Sequence, residues 1–213
     1  RADALTALEA AGYKPRPDAP DDPTAIHAPE LLHRDWPTAV EVHIDLCEPP
    51  GDVVLPAEDV LAAAVHADGC RIGVPSLEHR LAHLVLHAQL HSHRYTGEWL
   101  LLRDVTDFAR LLDAGAAVTD VRQRFARAGL VLEHDAFIAA AGLVLTRPDI
   151  IPDASPGADQ WAHRTLDLLA RPNVHRARHI RAEVAGYLDK FLRDPAARRR
   201  FLSNAASPAR IGQ

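Results

Sequence analysis

The segment LEHRLAHLVLHAQLHSHRY, residues 77–95, places His79, His83, His87 and His91 at strict four-residue spacing. On an α-helix each imidazole then stands one turn above the last, with about 40° of drift per step. Leu81, Leu84, Val85, Leu86 and Leu90 cover much of the remaining surface. The pattern predicts a largely buried helix whose histidines face a polar cleft or a seam between helices. Upstream, residues 40–46 (VEVHIDL) alternate, which predicts a strand with Val40, Val42, Ile44 and Leu46 on one face and Glu41, His43 and Asp45 on the other. Downstream the periodicity is helical over 98–113, 119–128, 132–145, 159–170, 176–193 and 195–203. The expected fold is therefore α+β: a small mixed β-sheet with flanking helices, then a helical bundle. The expected division is an α/β part over 1–75 and a helical part over 76–213.

The remaining punctuation fits this order. A first helix over 2–11 is stopped by Gly12, and the Pro- and Asp-rich stretch 16–29 reads as a loop. After the Pro49-Pro50-Gly51 turn, a helix is expected from Pro56 to about His66, then a short strand over 70–74. Ser76 is placed to cap the histidine helix.

The bulk numbers restrict the class. A chain of 213 residues, 47% hydrophobic and 25% charged, has the composition of a globular protein rather than a disordered one. Two cysteines, Cys47 and Cys70, are too few for a disulfide framework and have no metal-site spacing, which points to a reducing cytoplasm. No run reaches the ~18 apolar residues of a membrane span. From Trp161 onward there are 11 Lys/Arg against 4 Asp/Glu, so that part carries +7 and the first 160 residues −12 of the total −5. A basic tail can favour phosphate-bearing partners or pair within the chain. It lacks the aromatic interleaving of a nucleic-acid surface, and nucleic acid is not the expected partner. Starting at Arg1 and containing no methionine, the sequence reads as part of a longer product.

Three constellations can carry chemistry. The polar face Glu41, His43, Asp45 could supply a carboxylate to a hard divalent cation, although one strand cannot complete such a site; the plainer reading is a solvated edge strand. The histidine column can chelate a transition metal through an i, i+4 pair, line an active-site seam, or divide between solvent and core. In the apolar helix at 100–112, Arg103, Asp104 and Asp107 are costly to bury unless paired. A tight hairpin turning at Thr96-Gly97 would bring them to the histidine helix, where an aspartate could fix an imidazole tautomer.

Taken in order, VEVHIDL, a short helix, HLVLHAQLH and LLLRDVTDFARLL resemble the bacterial nucleotidyltransferase-like proteins of the DNA polymerase beta-type superfamily, and ALTALEAAGY resembles that family's helix after its first catalytic strand. The resemblance covers about residues 2–145. It implies a nucleotidyltransferase-like fold and transfer of a nucleoside monophosphate from a nucleoside triphosphate to a hydroxyl or similar acceptor, with Mg²⁺ or Mn²⁺. It further implies that Glu41 is a lone third metal carboxylate, that His43 and His87 orient acceptor or phosphate beside it as catalytic residues, and that His83, His91, Arg103 and Asp104 contact substrate. The family's paired acids and Gly-Ser turn are expected upstream of Arg1. Without them, the alternatives are a degenerate nucleotide-binding or accessory module and a transition-metal protein using the histidines. All of these readings expect the acidic strand face and the imidazole column to border one pocket.

Overall fold

The computed structural model describes residues 2–17, 27–43, 45–66, 72–91, 94–147, 150, 154–171, 174, 180 and 184. Two compact units divide the chain, one formed by residues 1–86 and 111–131, the other by 87–110 and 132–213.

The first unit begins with α1 (Ala2–Ala10), which ends where Gly12 adopts φ +95°. A side chain there would be strained by that backbone angle, and its Cβ would come within 2.9 Å of His33 Nε2, so glycine serves both the turn and the close approach. Strands β1 (Tyr13–Pro15), β2 (Leu31–His33) and β3 (Trp36–Val40) form an antiparallel sheet in that order. Tyr13 pairs with His33, and Leu31 with Val40. Pro15 and Pro37 lack an amide donor, and both lie on the outer strands, where a missing ladder bond costs least. Helices α2 (Gly51–Val54) and α3 (Ala57–Ala62) follow, then an antiparallel ribbon of β4 (Val65–His66) and β5 (Gly73–Val74). The expectation of an α+β chain holds; every strand pair among the described residues is antiparallel, so the parallel element of a mixed sheet is not seen there.

The strand expected over 40–46 is not where the ladder lies. Regular pairing stops at Val40; beyond it, the Ala28 amide donates to the Val42 carbonyl at 2.8 Å and His27 and His43 form an isolated bridge. Residues 45–47 then bend away, and Ile44 lies outside the described residues. Alternation fixes which side chains share a face, but a ladder also needs a partner strand, and among the described residues His27 and Ala28 are the ones that stand opposite.

Helix α4 (Leu77–Leu86) starts as expected: the Ser76 hydroxyl accepts from the His79 amide at 3.3 Å. It packs on α7 (Val118–Arg127), and Leu81 and Val85 of α4 and Val121 and Phe125 of α7 are all fully buried. Burying each such side chain contributes about 1.5–3 kcal/mol.

The second unit opens with a π-helical turn, His87–His91, that continues directly from α4. Then come α5 (Arg94–Gly97), α6 (Leu102–Asp113), α8 (Val131–Val144) and α9 (Ala158–Leu169), with α6 ending and α8 starting across the division. Helix α8 is buried on most sides, from His134 to Ile138 and Ala140 to Gly142, which makes it the unit's central element. Phe108 of α6 and Phe137 of α8 meet edge to face at 5.8 Å. Asp135 accepts from both the amide and the hydroxyl of Ser155 at 2.7 Å, tying the turn before α9 to the core. Trp161 of α9 donates to the Tyr95 carbonyl at 2.8 Å and stacks on its ring. The helices expected over 176–193 and 195–203 fall almost wholly outside the described residues.

Candidate functional site

Glu41 and His43 lie in the first unit, just past the end of β3, and both side chains are exposed. Their segment is pinned to the sheet by the Ala28–Val42 hydrogen bond between them. The His43 ring meets His27 edge-on at 5.8 Å, while the His27 Nδ1 lies 3.2 Å from the Ala28 carbonyl. Thus an anionic oxygen pair and an imidazole are presented to solvent two residues apart on an anchored segment.

A hard divalent cation takes about six oxygen ligands, commonly with several carboxylates or phosphates among them. Among the described residues no group of three or more His, Cys, Asp or Glu side chains is placed to hold a metal ion. Glu41 is therefore not joined by two further such side chains in a ligand set among the described residues.

The histidine column does not present one continuous surface. His79 is 3% exposed, with Nδ1 placed 3.1 Å from the Ser76 hydroxyl, whereas His83, one turn on, is exposed. Burial is the first cause holding the His79 pKa below its usual value, and the Arg124 charge is the second. Its neighbour Glu78 is held low first by a hydrogen bond from its own amide, with the Ala117 amide adding another at 3.4 Å. Both therefore work at the start of α4, fixing it and the start of α7. His87 is half-buried and His91 closes the π-turn. Glu41, His43 and His83 belong to the first unit; His87, His91, Arg103 and Asp104 belong to the second.

Around Asp104 the expected hairpin is replaced by a longer corner. The short helix α5 occupies 94–97, the Trp99 amide donates to the Arg94 carbonyl at 3.0 Å, and Glu98 takes φ 51°. Asp104 is held in a buried ion pair. Its partner is Arg94, which donates from Nη1 to Oδ2; both side chains are almost completely buried. A buried carboxylate is best compensated by a full opposite charge with forked donors, which a neutral imidazole does not supply. The Arg94 guanidinium also lies 5.3 Å from the centre of the Trp99 ring. Arg103 is exposed, with Nε 3.6 Å from the other Asp104 oxygen. Asp107, expected one turn from Arg103, instead pairs with Arg110 at 3.2 Å. Arg94 is the residue that sequence reasoning missed. The signal was available: a buried aspartate demands a cation, and Arg94 is the last one before the corner.

Cys47 is half-buried, and burial, then the Asp52 charge, push its thiol up to about 11, so it is no candidate nucleophile near neutrality. Among the described residues no helix is long and apolar enough to cross a membrane.

No curated protein and no solved structure matches the chain. A family model does: it spans residues 1–141, covering the sheet, Glu41 and His43, the histidine helix and the Arg94–Asp104 corner. On that match the chain belongs to the family described as uncharacterised nucleotidyltransferase, with the nucleotidyltransferase-like role that this implies.

Proposed function

We propose that the protein transfers a nucleoside monophosphate from a nucleoside triphosphate to a hydroxyl or similar acceptor. The observation that carries this reading is the family match over residues 1–141, which includes the exposed, anchored Glu41–His43 segment. In such a reaction the acceptor oxygen forms a bond to the α-phosphorus, the bond to pyrophosphate breaks, and the hydroxyl proton passes to a base. His43 is the proposed base, since an exposed imidazole is the commonest side chain for accepting a hydroxyl proton. Glu41 is the residue that would contact Mg²⁺ or Mn²⁺, which supplies charge stabilisation at the phosphates when bound. The remaining ligands would have to come from residues other than those described, or from the substrate phosphates.

The test is pyrophosphate release by the full-length protein from each of the four nucleoside triphosphates, with Mg²⁺ and a cell-extract acceptor pool. Glu41→Gln keeps the shape and removes the charge, and the expected loss is about a hundredfold or more, the scale of deleting one charge-stabilising group. Unchanged turnover in Glu41→Gln removes its role. Triphosphate binding by the wild type with no pyrophosphate released replaces transfer by a binding module that has lost the reaction.

A further inference from the structure

His27 and His43 face each other across the isolated antiparallel bridge, and both belong to the first unit. The backbone hydrogen bond belongs to the adjacent pair, Ala28 and Val42. Bonded and non-bonded pairs alternate along antiparallel chains, so the two histidines take the non-bonded position, where opposed side chains share a face and stand closest. Their ring centres are 5.8 Å apart, with the ring planes at 61°.

A hydrogen bond selects the tautomer of His27. A carbonyl oxygen only accepts, so the 3.2 Å contact with the Ala28 carbonyl makes Nδ1 the donor. In the neutral ring Nε2 then carries the lone pair. An imidazole braced through one nitrogen by a backbone carbonyl, with the lone pair on the other, is the usual state of a metal-ligating histidine. His43 is exposed and His27 half-buried, so an ion in solution can reach both. With metal–nitrogen bonds of about 2.0–2.1 Å, two imidazoles on one tetrahedral ion have their centres about 5 Å apart. A small rotation of the exposed His43 ring brings the pair to that spacing.

We propose that His27 and His43 chelate one transition-metal ion, such as Zn²⁺, with water in the remaining positions. Imidazole nitrogens suit Zn²⁺, Cu²⁺ and Ni²⁺, whereas Mg²⁺ takes oxygen ligands, so Mg²⁺ does not compete for the pair. The ion occupies the lone pair of His43. On the nucleotidyl-transfer reading, on which this consequence alone rests, that withholds the base from the hydroxyl proton, and the site is inhibitory.

Calorimetric titration of the untagged full chain with Zn²⁺ in excess Mg²⁺ tests the site without turnover. The wild type binds one ion more tightly than any other, and His27→Gln or His43→Gln weakens that ion about a hundredfold, the low end of the gain from linking two ligands. The double variant binds no more weakly than either single one, because each substitution already breaks the chelate. With less than one equivalent of Cu²⁺, electron paramagnetic resonance shows coupling to two imidazole nitrogens in the wild type and to one in His43→Gln. Zn²⁺ affinity unchanged in both single variants, or Cu²⁺ coupled to one nitrogen in the wild type, overturns the site; the second measurement stands even if a variant fails to fold. In the pyrophosphate-release assay, Zn²⁺ that fills the site slows the wild type and spares His27→Gln, whose ring has no part in the transfer. Equal inhibition of both overturns the inhibitory role and leaves the metal site. Chelation by a protein that releases no pyrophosphate keeps the site and removes the transfer reaction, and inhibition with it.

Discussion

At the residue scale, Asp104 and Arg94 explain each other. Either charge alone would be strongly disfavoured at 4% and 6% side-chain exposure. Arg94→Met should therefore cost about 3–5 kcal/mol in urea unfolding, because it strands a buried carboxylate. The double change Arg94→Met with Asp104→Leu should cost clearly less than Arg94→Met alone, since it removes the uncompensated charge; equal or additive losses would show that the pair does not interact as placed. The start of α4 gives a pH dependence by the same reasoning. His79 has its pKa lowered from 6.5, first by burial, so the unfolded chain binds its proton more readily than the folded one. Its contribution is complete above about pH 6.5 and is lost as the pH falls below that value. Glu78 is lowered from 4.5 by its backbone hydrogen bonds, and its contribution fades at lower pH still, below about 4.5. Melting temperatures should fall in two stages on acidification, and His79→Gln should flatten the first; an unaltered first stage would assign it to other groups.

At the scale of elements, most helix limits were legible in the sequence, those of α7, α8 and α9 to within one residue, whereas the start of α6 and the end of α4 were not. Ser76 three residues before His79 is a capping signal written in side chains, and the structure uses it twice, through the His79 amide and the His79 ring. Ser76→Ala should lower stability by about 1 kcal/mol in urea unfolding with the slope unchanged, whereas a loss of a few tenths would leave the hydroxyl no capping role. The end of α4 carried no such mark. HAQLH continues the four-residue repeat, yet residues 87–91 form a π-turn, which the spacing of the histidines does not encode. The residues 40–46 misled in the opposite way. Their period of two is real, and Val42 does bond to Ala28, but a period says nothing about whether a partner strand continues. Glu41 and His43 were therefore legible as a polar pair, while their position beyond the ladder was not. Arg94 was legible only through Asp104, ten residues on, whose burial calls for a cation.

At the scale of the whole molecule, the order of elements was readable from the change of period near residue 76, because strand and helix bury their apolar residues at different spacings. How the chain gathers into compact units was not readable, since that depends on contacts between distant segments. The chain passes from one unit to the other after residues 86, 110 and 131. The first passage joins α4 directly to the π-turn, the second lies within α6, and the third falls after the first residue of α8. A helix melts cooperatively, because interrupting it sacrifices hydrogen bonds without releasing a whole element. Damage to the first unit should therefore be felt in the second. Phe125 of α7 is fully buried in the first unit, while Trp99 and Trp161 lie in the second. In a Trp36→Phe background, which removes the largely exposed indole of the first unit, fluorescence reports the second unit alone. Phe125→Ala should cost about 3–5 kcal/mol and move the fluorescence midpoint and the far-ultraviolet dichroism midpoint down together. A dichroism midpoint that falls while the fluorescence midpoint stays in place would show that the shared helices break at the division and that the units unfold separately.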